Sequence, residues 1–158
     1  MLLLGTRNIS DQTLAVDAFV NLGEVYRRYC KRINGYRAFE FNGTSVSLQH
    51  SGIYHITATI TFTAPAPGII EFQLTENGVA LPGAIATETI TTATTETKTT
   101  IIDFYVLVDS GCVLGTPTTL IKNIAIQNTG LASTVTNVVF NVENKKKYIN
   151  RRFVADIL

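Results

Sequence analysis

From Gly52 to Ala64, apolar and polar positions alternate almost without error. Tyr54, Ile56, Ala58, Ile60, Phe62 and Ala64 fall on one side, and His55, Thr57, Thr59, Thr61 and Thr63 on the other. Successive side chains of a strand point to opposite faces, so the segment predicts a strand with one dry face and one hydroxyl-rich face. The same period recurs in shorter runs. Leu14, Val16, Ala18, Val20 and Leu22 predict an opening strand ending at Gly23, although Leu14, Ala18, Phe19, Leu22 and Val25 also trace a helical stripe. Phe39 and Phe41 lead into an Asn42-Gly43 turn, with Val46 and Leu48 beyond it. Ala64-Pro65-Ala66-Pro67-Gly68 interrupts the pattern, because proline has no N–H to donate to a ladder. Ile70, Phe72 and Leu74 then alternate with Glu71, Gln73 and Thr75. Asn77-Gly78 follows, a hairpin signal, since both central residues of a type I′ turn need positive φ. Leu81-Pro82-Gly83 predicts a further turn.

Threonine dominates the stretch from Thr87 to Thr100. Anchored by Ile85, Ile90, Ile101 and Ile102, this β-branched tract predicts a strand, a mobile loop around Ala93 to Glu96, and the start of another strand. Ile102, Phe104, Val106 and Val108 form the next buried face. Its other side carries Ile101, Asp103, Tyr105 and Leu107, so this strand is apolar on both faces, as expected where another subunit covers it. Asp109-Ser110-Gly111 turns the chain. Leu120, Lys122, Ile124 and Ile126 make a strand closed by Asn128-Thr129-Gly130. Val138, Phe140 and Val142 make the last, with Val139, Asn141 and Glu143 facing out. Short strands at regular spacing with no helices between them predict an all-β fold, a jelly-roll β-sandwich of about eight to ten antiparallel strands. The jelly-roll domain is expected over 13–143, flanked by an N-terminal arm (1–12) and a basic C-terminal arm (144–158).

At 158 residues the chain can close one core without staples. Charged residues make up only 16%, a low density that again implies surface covered by other subunits. The net charge of +1 hides a division. Arg27, Arg28, Lys31, Arg32 and Arg37 sit together without acids, and Lys145, Lys146, Lys147, Arg151 and Arg152 crowd the tail, on either side of an acidic body. Such asymmetry concerns contacts rather than fold. Cys30 and Cys112 lack metal spacing and read as unpaired thiols in a reducing compartment. Met1-Leu-Leu-Leu ends at Gly5, too short for a signal peptide or a membrane span. The expectation is therefore synthesis in the cytoplasm with no secretory step and no membrane partner.

Gly52-Ile53-Tyr54 entering the long strand, followed by Phe72-Gln-Leu-Thr-Glu-Asn-Gly-Val-Ala-Leu-Pro-Gly-Ala84, resembles the small trimeric jelly rolls of the complement-head and tumour-necrosis-factor type. The resemblance is closer to their bacterial and phage versions, where such a segment precedes a threonine-rich stretch. Gly23-Glu-Val-Tyr-Arg-Arg28 and Thr136-Asn-Val-Val-Phe-Asn-Val-Glu143 are similar to those proteins too. The resemblance spans roughly Leu14 to Glu143 and implies a homotrimer packed around a threefold axis. The doubly apolar strand suits the interface, which would include Ile101, Asp103, Tyr105 and Leu107 together with His55. A collagen-like stalk is not implied, for there is no Gly-X-Y repeat. Nor is the calcium site of some animal relatives, for no matching acidic cluster is evident.

Candidate chemistry is sparse. His50 and His55 are too few for a zinc site, and His55 reads as an ordinary surface or interface histidine. Glu71, Glu88 and Asp103 could supply a carboxylate pair for glycoside hydrolysis, but acids on a solvated strand face are the simpler reading. There is no nucleophile elbow, phosphate loop or HExxH. No enzyme activity, metal or cofactor is expected. Tyr26-Arg-Arg-Tyr-Cys-Lys-Arg32 interleaves aromatics with cations as nucleic-acid surfaces do. The favoured reading is an exposed loop whose arginines (Arg27, Arg28 and Arg32, with Lys31) pair with acids of a neighbouring subunit, not with nucleic acid. The tail joins its cations to apolar Phe153, Ile157 and Leu158, a combination that suits docking. The expected role is a phage virion structural protein, a trimeric head decoration, head fibre or other capsid-surface protein. Its partners would be itself and other virion proteins such as the major capsid protein. The alternative is a receptor- or glycan-binding head for a host surface ligand, with hydroxyls supplied by the threonine-rich loop.

Overall fold

The computed structural model describes residues 2–30, 37–108, 110–113, 116–119 and 121–145. The strands are β1 (Leu2–Asn8), β2 (Gln12–Leu14), β3 (Glu24–Tyr29), β4 (Phe39–Phe41), β5 (Ser45–Leu48), β6 (Gly52–Thr63) and β7 (Gly68–Glu76). They continue with β8 (Val79–Ile90), β9 (Lys98–Val108), β10 (Ser110–Val113), β11 (Thr116–Thr119), β12 (Lys122–Asn128) and β13 (Ser133–Asn144). One sheet has the order β3-β1-β13-β6-β9, with β2 also on β13, and the other β4-β5-β12-β7-β8. Every pairing is antiparallel, and β10 and β11 form a separate ribbon. The all-β jelly-roll expectation holds.

Alternation explains the layers. Tyr54, Ile56, Ala58, Ile60 and Phe62 of β6 are fully buried, as are Val138, Phe140 and Val142 of β13 and Ile70, Phe72 and Leu74 of β7. Phe62 meets Phe72 edge-on with ring centroids 5.2 Å apart, and Phe39 meets Tyr54 at 5.9 Å. Such edge-to-face pairs join the quadrupoles favourably. The Tyr54 hydroxyl donates to the His50 carbonyl at 2.5 Å, and burial pushes its pKa up to about 12. The Asn77-Gly78 hairpin is present with φ of 51° and 81°, joining β7 to β8. At the other turn the Asn42 carboxamide oxygen accepts the N–H groups of Thr44 and Ser45 at 3.0 and 2.8 Å.

Five expectations are corrected. Leu14 to Leu22 is neither a strand nor a helix beyond Leu14. The chain leaves β2 and runs across to the other sheet, where Asp17 N–H bonds Asn128 O, Val20 N–H bonds Ile126 O, and Leu22 N–H bonds Gly43 O. Val20 and Leu22 plug the core between the sheets while Val16 is half exposed, so their alternation recorded burial rather than pairing. Residues 1–12, expected as an arm, contribute β1, which lies between β3 and β13 with Leu4 fully buried. The basic stretch at Arg27 and Arg28 is the exposed edge strand β3 rather than a loop. Ser110-Gly111, expected to turn, pairs with Thr119 and Thr118 in the small ribbon.

Leu81-Pro82-Gly83 does not end a strand either; it is a bulge within β8. Two steps on β7, from Gln73 to Thr75, face five on β8, from Ile85 back to Ala80, and Gly83 takes φ 84° to permit the detour. The carboxamide of Gln73 fills it, donating to the carbonyls of Leu81 at 2.6 Å and Ala84 at 3.1 Å. Gln73→Ala is expected to cost about 1–3 kcal/mol by stranding these acceptors. Urea denaturation should show a lower midpoint at unchanged m-value.

The loop between β8 and β9 is clasped by Glu96. Its carboxylate accepts the N–H of Thr91 at 2.7 Å, that of Thr92 at 2.8 Å and the Thr91 hydroxyl at 2.9 Å, with Lys98 Nζ 3.3 Å away. The backbone hydrogen bonds from Thr92 and Thr91 hold its pKa down, from 4.5 to about 2. Because the folded pKa is the lower one, the clasp stabilises fully above about pH 4.5 and is lost as pH falls through about 2. A carboxyl-carbon NMR titration should place the Glu96 midpoint near the lower value. A midpoint near the higher one would mean the clasp is not formed in solution.

Candidate functional site

The outward face of the first sheet grades from apolar to charged. At its β9 edge, Ile101, Tyr105 and Leu107 are 60, 57 and 57% exposed. The register sets them beside β6: Ile101 faces Thr59, Asp103 faces Thr57, Tyr105 faces His55 and Leu107 faces Ile53. The next strand carries Val139, Asn141 and Glu143 opposite Thr59, Thr57 and His55. Strand period places all of these on one side, because the alternate residues of β6, β9 and β13 fill the core. The middle of the face is uncharged and hydroxyl-lined, with Thr61 and Thr99 hydroxyls 2.9 Å apart.

His55, Asp103 and Tyr105, expected from sequence within one interface set, touch one another directly. His55 Nε2 lies 2.6 Å from Asp103 Oδ1, and its ring stacks on Tyr105 with centroids 4.6 Å apart and planes 13° from parallel. Tyr105 is the direct cross-strand partner of His55, and Asp103 is the diagonal neighbour. The cluster gives the one carboxylate on an otherwise apolar edge a hydrogen-bond partner.

At the far side the face turns polar. Tyr26 lies over Gly5, where a Cβ would come within 2.9 Å of its ring, and its hydroxyl donates to Asn141 Oδ1 at 2.8 Å. The Arg7 guanidinium stands 5.7 Å from the ring centroid and 3.8 Å from Glu24. Sequence reasoning did not nominate Gly5, Tyr26 and Asn141 as a unit, since only the register of three strands brings them together. Arg27 and Arg28 are exposed on β3. Lys145 donates its N–H to Ile53 O at 2.9 Å, and its ammonium lies 3.8 Å from Glu143. Lys31, Arg32, Lys146, Lys147, Arg151, Arg152, Phe153, Ile157 and Leu158 lie outside the described residues.

Glu71 and Asp103 do not meet: they project from opposite outer faces of the sandwich. Glu71 instead accepts the Thr129 hydroxyl at 2.7 Å. Cys30 is a free thiol whose sulfur accepts the Ala38 N–H at 3.2 Å. Among the described residues there is no group of three or more His, Cys, Asp or Glu placed to hold a metal ion. None of them forms a helix long and apolar enough to cross a membrane.

The globular domain of zebrafish complement 1qA protein is similar over 92% of this chain and 98% of its own, at 8% identity and a TM-score of 0.57. Murine APRIL is similar over 90% of this chain and 98% of its own, at 10% identity and a TM-score of 0.61. The fold is the jelly roll of the complement-head and tumour-necrosis-factor type. The PRD1 vertex protein P5 aligns over 89% of this chain and 93% of its own, at 14% identity and a TM-score of 0.48, too loose a match to argue from. No family model matches the sequence, and neither does any curated protein. At these identities the likeness concerns the fold alone.

Proposed function

We propose that this jelly roll assembles as a homotrimer through the outward face of the β3-β1-β13-β6-β9 sheet, and that the trimer is a structural component of a phage virion surface. The observation that carries the first part is the strip of Ile101, Tyr105 and Leu107. Three large apolar side chains stand mostly in water along an edge strand, next to an uncharged hydroxyl-lined field. An exposed apolar strip on an edge strand invites association unless it is covered. A closed threefold ring would cover it once in every subunit. His55 and Asp103 would be carried into the interface as a pair that already satisfies itself.

The virion reading rests on the resemblance to phage jelly rolls and on the two basic segments. Arg27 and Arg28 on the edge strand, and the cations that begin at Lys145, would meet acidic surface on a neighbouring virion protein such as the major capsid protein. Their use of charge rather than apolar area makes this contact sensitive to salt. The test is mass spectrometry of purified particles from an infected host, before and after a high-salt wash. The protein should be present and should be depleted by salt; its absence from particles removes the reading.

A further inference from the structure

The solvent face of the second sheet, on the opposite side of the sandwich from the apolar strip, holds an open groove of about 480 Å³. Its origin is local. Ser45, Ala125 and Thr75 form one cross-strand row over β5, β12 and β7, and three small side chains in register leave a trough. Phe19 stands at one wall, 43% exposed, and the Asn77-Gly78 turn with Asn123 forms the other. Thr44 completes the lining, which contains no charged side chain.

The hydrogen bonds within the walls decide what remains for a ligand. Asn77 Oδ1 accepts the Asn123 N–H at 2.8 Å, and Asn123 Oδ1 accepts the Ser47 hydroxyl. Each amide oxygen already accepts one bond, so each carboxamide offers its NH2 donors and one remaining acceptor site. The Thr44 and Ser45 hydroxyls donate to Asn42 Oδ1 at 3.3 and 3.2 Å, leaving their lone pairs to accept. The groove therefore presents carboxamide donors at Asn77 and Asn123, hydroxyl acceptors at Thr44 and Ser45, and an exposed aromatic ring at its rim.

We infer that this groove binds a neutral saccharide. Vicinal hydroxyls of a pyranose both donate and accept, which matches a lining that holds both carboxamides and hydroxyls. The C–H face of the ring is an apolar plate that covers an aromatic side chain. A charged ligand would find no counter-charge in the lining. The inference gives the ligand-binding role expected of the threonine-rich loop a different location. It does not rest on the trimer or the virion reading, because the groove opens away from the proposed interface.

The test is titration of the full-length chain with a panel of neutral glycans containing glucose, galactose, mannose or N-acetylglucosamine, alongside sialylated and sulfated ones, read by saturation-transfer NMR and calorimetry. At least one neutral glycan should bind. Phe19→Ala should weaken it about tenfold, the scale of one lost aromatic contact. Ala125→Leu, which fills the trough from its floor, should abolish binding while the thermal unfolding profile shows a folded protein. Silence across the neutral panel, binding of charged glycans alone, or binding indifferent to both substitutions would each overturn the inference. Native mass, which reads the trimer, is a separate measurement, so the two ideas fail independently.

Discussion

Replacing Ile101 and Leu107 together by aspartate is expected to convert the assembled protein into a folded monomer. In the isolated subunit both side chains already stand in water at 60 and 57% exposure, so the exchange removes little from the core. Their inward neighbours on β9, Ile102, Val106 and Val108, are buried and untouched. In an interface the same exchange places unpaired carboxylates where apolar groups packed. Burying a charge without a partner costs roughly 3–5 kcal/mol, and a threefold ring would incur it in every subunit. Light scattering coupled to size exclusion should report three chains for the wild type and one for the variant, with matching circular dichroism. A wild type that is already monomeric, or a variant that keeps the wild-type mass, would remove the proposed interface.

Gly130→Ala is expected to be strongly destabilising. A Cβ there would lie 2.4 Å from the Glu71 backbone nitrogen and 2.9 Å from the Ile69 carbonyl oxygen. These are backbone atoms of β7, and three consecutive N–H groups, of Thr129, Gly130 and Leu131, bond the carbonyls of Glu71 and Ile69 at 2.9, 3.3 and 3.1 Å. The turn cannot back away without breaking those bonds, so the cost should reach about 3 kcal/mol or more. Gly43→Ala is the contrasting case. Its φ of 98° strains any side chain, but nothing lies within 4 Å of the added carbon, so the loss should stay near 1 kcal/mol. Denaturant midpoints should rank Gly130→Ala far below Gly43→Ala. Equal losses would mean that the turn yields and that close approach is not what glycine serves at 130.

The clearest sequence signals were those whose physics is local. A period of two over Gly52 to Ala64 is a property of the strand itself, and β6 buries every apolar position that the pattern assigns to the dry face. Asn42-Gly43 and Asn77-Gly78 announce their turns because positive φ is a single-residue matter. The outward placement of Ile101, Tyr105 and Leu107 follows from the same alternation. Where partners decide, the sequence misled. Leu2–Asn8 shows no alternation in its run of leucines, yet it is an interior strand because β3 and β13 flank it. Leu14 to Leu22 alternates, yet it crosses between sheets because Asn128, Ile126 and Gly43 take up its N–H groups.

What the sequence determined by itself was the class of fold, the main strands and turns, and which sides of those strands are dry. Each of those depends on neighbours a few residues apart. The tertiary structure alone decided the strand order, the Gln73-filled bulge, the meeting of His55 with Asp103 and Tyr105, and the uncharged groove beneath Phe19. Apart from the bulge, which lies within one hairpin, these join residues far apart in the chain, and all depend on strand register, a cooperative outcome of the whole packed sandwich that no short window of sequence encodes.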